Sequence, residues 1–106
     1  MDLFEQIKEK FSRGEYAVSD HAIIEGRKDG IDPKTVEKLE WVVLNGKIIE
    51  EYPDRKRILI YAEIEDDGIP VHTVVDYSEP EEPVIVTSYV PDSRHWIKYQ
   101  IRKKQR

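Results

Sequence analysis

The stretch "IPVHTVVDY", residues 69–77, decides how the rest of the chain is read. Its β-branched residues favour an extended backbone. Alternation then puts Val71, Thr73 and Val75 on one face and His72, Val74 and Asp76 on the other. Three comparable runs surround it: "KIIEEY" (47–52), "RILIYAEIE" (57–65) and "PVIVTSYV" (83–90), each bounded by turn residues. "DDG" at 66–68 is a hairpin turn by composition, and "SEPEEP" (78–83) is a longer polar loop. Connections this short favour antiparallel neighbours, so the second half predicts a four-stranded antiparallel meander.

The first half carries a different period. Leu3, Phe4, Ile7 and Phe11 form one helical stripe that ends at Gly14. Ser19 or Asp20 is placed to cap a second helix, which Gly30 closes. "IDPKT" restarts the pattern with Asp32 as cap and Pro33 at the first helical position. The third helix turns Val36, Leu39 and Val43 inward and stops near Asn45–Gly46. The expected fold is therefore α+β: three N-terminal helices packed on one face of a four-stranded antiparallel sheet.

Length predicts a single domain over residues 1–106, with a basic tail at about 99–106. There is no cysteine, which removes disulfides and thiolate metal sites. No apolar run approaches a membrane span, and "MDLFEQIKEKF" is amphipathic rather than a signal peptide, so a cytoplasmic protein with no membrane partner is expected. Charged residues make up 37% of the chain, a composition that leans towards a heat-adapted source. The net charge of −5 opposes generalised polyanion binding, but it is unevenly placed. Residues 63–82 hold eight acids and no Lys or Arg, whereas residues 94–106 hold six bases and no acid. That basic segment is either a solvated terminus or a surface for phosphates or an acidic partner.

The order of short motifs is itself informative. "DHA" at a helix start is followed by "GI", "VVLNGKIIEEYP", "PVHTVV" and "VTSYVPDSRHW". Over roughly residues 17–97 the chain resembles the domain-of-unknown-function family 4258, itself similar to the RelE/ParE-like toxin fold. That resemblance implies a RelE-like architecture, a toxin–antitoxin setting and a ribonuclease-like activity. It marks His21, His72, Thr87, Tyr89 and Trp96. The family pattern often has a base directly before the "GI", where this chain has Asp29.

Metal-independent RNA cleavage needs a base for the 2′-OH, an acid for the leaving oxygen and a cation for the charged phosphorane. His21 and His72 supply the acid–base pair; Arg27, Arg55, Arg57 or Arg94 supplies the clamp, and Tyr89 a donor or stacking ring. His21 has Glu25 four residues on, on its own helix face, while Arg27 lies about 120° round. Thr87 and Tyr89 share one face of the next predicted strand; in a register that sets that face beside His72, a His72–Thr87–Tyr89 cluster is the leading candidate site. The bland alternative for each histidine is a satisfied structural hydrogen bond. A zinc set from His21, His72 and His95 has separations of 51 and 23 residues that match no local ligand motif, so no metal or other cofactor is expected. Trp96 is expected to pack the C-terminal segment on the core. The functional expectations are an RNA- or ribosome-binding toxin-like protein, with or without ribonuclease activity, or a non-catalytic module. The module would bind an antitoxin-like partner or a second copy through the sheet face or the "KIIEEY" edge.

Overall fold

Helix α1 (Leu3–Ser12) starts where the Asp2 carboxylate accepts from the Glu5 amide at 2.8 Å, and it buries Ile7 and Phe11. Gly14 ends it in the left-handed conformation, φ +72°, that lacks a Cβ penalty only for glycine. The computed structural model describes residues 2–65 and 68–104, so Asp66 and Asp67 of the expected "DDG" turn lie outside the described residues. Strand β1 (Ala17–Val18), which periodicity does not reveal, leads into helix α2 (Asp20–Lys28). Ser19 caps α2: its Oγ accepts from the Ala22 amide at 3.0 Å and donates to the Val86 carbonyl at 3.1 Å.

Helix α3 (Thr35–Asn45) begins two residues later than expected. Pro33 lies ahead of it on a cis peptide, and Lys34 takes a left-handed backbone that no helix interior accommodates. Thr35 is buried and donates to the Ile31 carbonyl at 2.7 Å, fixing the turn. Leu39, Val42 and Val43 form the buried face of α3.

The chain then runs through β2 (Lys47–Tyr52), a short 3-10 turn (Pro53–Arg55), β3 (Arg57–Glu63), β4 (Pro70–Asp76) and β5 (Val84–Tyr89). The four long strands form the expected antiparallel meander. The sheet differs from expectation in having a fifth strand: β1 pairs in parallel with β5, giving the order β1-β5-β4-β3-β2. Helices α2 and α3 thus carry the chain over one sheet face, from one edge to the other. Ile58, Ile60, Ala62, Val71, Val75 and Ile85 meet the helices there and make the core. Within the segment expected as a basic tail, β7 (Ile101–Arg102) pairs with β6 (Trp96–Ile97), which lies just ahead of it, in a second, two-stranded sheet.

Gly46 sits where α3 hands over to β2. A Cβ there would stand 2.5 Å from both the Tyr61 and the Val42 carbonyl oxygens. Neither backbone atom can retreat without breaking the junction. Gly46→Ala should therefore cost about 1–3 kcal/mol in urea unfolding; an unchanged midpoint would contradict this close approach.

Candidate functional site

The face of the sheet opposite the helices carries Tyr61, His72, Tyr89, Glu50 and Tyr52, and register explains why. His72 is paired with Tyr61 on one side and with Tyr89 on the other. In β2 the register shifts between Ile48 and Glu50. This bulge adds one residue and reverses the parity of everything after it. Lys47 opposite Tyr61, Glu50 opposite Leu59 and Tyr52 opposite Arg57 consequently all share the His72 face.

The β6–β7 hairpin lies over this face. Its turn reverses at Lys98 and Tyr99, both left-handed at φ +52° and +62°. The Tyr99 carbonyl stands 2.6 Å from His72 Nε2. A carbonyl only accepts, so Nε2 carries the proton, and Nδ1 accepts from the Tyr89 hydroxyl at 3.2 Å. Trp96 packs at right angles to the imidazole with ring centroids 4.5 Å apart. The Arg102 guanidinium stacks 4.5 Å above the Trp96 ring and grips Glu50 through two bonds of 3.0 and 3.3 Å. Tyr52 donates to the same carboxylate. His72 is left 0% exposed.

These contacts set the charge states. Burial lowers the His72 pKa below 6.5; the Tyr99 carbonyl and the Glu50 charge oppose that shift without reversing it. Burial works against the Glu50 charge, but the bonds from Arg102 and Tyr52 outweigh it and hold its pKa below the usual range. Tyr61 rises to about 12 through burial and its bond to Glu63, and Tyr52 to about 12 through burial and its bond to Glu50. The face therefore holds a neutral histidine, a fixed carboxylate and protonated phenols. With both ring nitrogens engaged and the ring sealed, His72 exchanges no proton with a substrate in this conformation.

The sequence candidates separate into two sets. His72 and Tyr89 are brought together, and Thr87 shares their face opposite Val74. His21 is exposed in the first turn of α2, on the helix side. Helix α2 is tied to the helix face of β5 by Ser88 Oγ donating to the Ala22 carbonyl at 2.8 Å, so the sheet stands between His21 and His72. Glu25 pairs with Lys28 at 3.5 Å. Arg27 is exposed near the end of α2; Arg57 is held by Asp76 at 2.9 Å, and Arg94 by Asp92 at 2.7 Å. The arginine at the cluster is instead Arg102. Glu50, Tyr61, Tyr99 and Arg102 escaped sequence reasoning. Glu50 and Arg102 meet across 52 positions, and only the polar-capped aromatics on the strands hinted at a wet second face. Asp29 accepts from the Val90 amide at 2.8 Å, clasping α2 to the end of β5. Strand β2, the edge expected to receive a partner strand, carries the bulge. Among the described residues, no group of three or more His, Asp or Glu is placed to hold a metal, and no helix is long and apolar enough to cross a membrane.

The family model described as domain of unknown function (DUF4258) matches residues 18–90, more than two thirds of the chain. The chain belongs to that family. The DUF4258 match runs from β1 to one residue beyond β5; it includes Glu50, His72 and Tyr89 and stops short of the hairpin. No curated protein and no solved structure matches the chain.

Two measurements probe the cluster. Because the folded pKa of His72 lies below its ordinary 6.5, the unfolded chain binds the proton more readily. The stability this contributes is complete above about pH 6.5 and is lost as pH falls towards the folded pKa. His72→Gln should flatten the stability-against-pH curve below 6.5, and equal slopes for the two proteins would contradict the assignment. Tyr89→Phe leaves Nδ1 without its donor and should cost about 1–2 kcal/mol in the same unfolding experiment.

Proposed function

We propose that this protein is an RNA-binding member of the RelE/ParE-like toxin fold that holds the RNA backbone on its basic C-terminal hairpin. In this reading His72 is the hairpin's anchor. The observation that carries it is the segregation of charge: Arg94, His95, Lys98, Arg102, Lys103 and Lys104 are all exposed, and no carboxylate occurs from residue 93 onwards. The hairpin is seated on the sheet, so its cations are held in place while the net charge of −5 repels polyanions elsewhere. Fold alone assigns no activity, which is why the reading rests on this surface.

A second reading is favoured by the convergence of Glu50, His72, Tyr89 and Arg102. If the hairpin lifts, a carboxylate base, an imidazole, a phenol and a guanidinium face one substrate space, the inventory of a metal-independent ribonuclease. His21 has no part in that arrangement.

Both readings meet in one experiment with purified protein and single-stranded RNA in chelator. Binding should weaken with salt at a log–log slope of about −0.7 per phosphate contacted. Lys98→Glu/Lys103→Glu/Lys104→Glu should lower affinity at least about tenfold and flatten that slope. No cleavage is expected. Salt-independent binding, or none, would overturn the proposal. Cleavage that disappears in both Glu50→Gln and His72→Ala, with folding retained, would establish the second reading instead.

A further inference from the structure

The hairpin carries a cleft of about 500 Å³ lined by His95, Arg102, Lys103 and Lys104. We propose that this cleft binds a single phosphate group. For the source of that phosphate the inference rests on the RNA-binding reading above.

The four lining residues all carry hydrogen-bond donors, and among the described residues no Asp or Glu lines the cleft. Two features hold the lining in shape. The Lys103 amide donates to the His95 carbonyl at 2.8 Å, which draws the two ends of the hairpin together. Arg102 is fixed from behind by Glu50 and stacked on Trp96, and the carboxylate takes two of its five donors. The cleft's freest donors are therefore His95, Lys103 and Lys104, with the Arg102 charge held beside them. Among the described residues, neither Lys103 nor Lys104 has a carboxylate partner in an ion pair or hydrogen bond. Two acids lie nearby. Glu50 is committed to Arg102 and Tyr52, and Asp92, close enough to feel His95, is held by Arg94 at 2.7 Å. The unspent charge in the cleft is therefore positive. A phosphate, with acceptors in several directions, uses such a lining more fully than a planar carboxylate does.

The three histidines make the test selective, since each gives its own imidazole signals by NMR. Inorganic phosphate is titrated against chloride at matched ionic strength. His95 should shift saturably, while His21, on the far side of the sheet, and sealed His72 should not. Lys103→Ala/Lys104→Ala should weaken the response at least about tenfold. RNA of one sequence is then added with a 5′-phosphate or a 5′-hydroxyl. Tighter binding of the phosphorylated form, by about tenfold, assigns the cleft to a terminal phosphate. Equal binding, with His95 perturbed by both, assigns it to an internal phosphodiester. A His95 signal unmoved by inorganic phosphate, or moved equally in the double variant, overturns the site even where RNA binding persists. A saturable phosphate response with no RNA binding keeps the site and overturns the RNA reading.

Discussion

The hydrogen bond from His72 Nε2 to the Tyr99 carbonyl, under the Trp96 ring, is the contact on which the second face of this molecule depends. The helix face closes mainly by apolar packing, with buried Ser88 and Thr35 bonded to backbone carbonyls. The other face cannot, because it presents an imidazole, phenols and a carboxylate that must find partners if they leave water. The β6–β7 hairpin belongs to a separate sheet and contributes no ladder to the main one. Its seat is made instead by the His72 bond, the Trp96 stack and the Arg102–Glu50 pair. Against these stands the turn itself, where two successive residues other than glycine hold left-handed backbones at a cost of order 1–3 kcal/mol each. The contacts to His72 and Glu50 must outweigh that strain.

This seating moves the chemistry away from the residues that first suggest it. A histidine with a donor on one nitrogen, an acceptor on the other and no exposure is a structural group. Its burial nevertheless holds the cations of the hairpin at fixed positions on the outside. Arg102 joins the two features: Glu50 binds it, and it is among the residues that line the basic cleft. Asp29, which stands where the family pattern often has a base, ties α2 to the end of β5. That end of the molecule is committed to holding its layers together.

Most of the architecture was legible because it follows from local rules. The first and third helices end at Gly14 and Asn45–Gly46, Ser19 caps the second, and the four long strands lie where β-branched runs predicted them; the third-helix cap expected at Asp32 is instead Lys34. The His72–Tyr89 pair was half legible: alternation puts Thr87 and Tyr89 on one strand face, but the loop ahead of β5 is long and a shift between Val74 and Val75 sets the register. The rest was hidden for specific reasons. Strand β1 has two residues and gains its pairing only from β5, far along the chain. The bulge at Ile49 has no sequence signature, and without it simple alternation places Glu50 on the wrong face. Lys98 and Tyr99 are unusual residues for a tight turn, so a basic run there read as a tail. His21 and His72 looked equivalent in sequence, and only the layer order shows that the sheet divides them.

The most direct measurement is the protonation state of His72, read by nitrogen NMR at neutral pH with His21 as an internal comparison. The expected result is one neutral tautomer, with the proton on Nε2 and that proton exchanging slowly with water. An averaged or freely titrating His72 ring would contradict the anchoring of the hairpin by His72 and Tyr99.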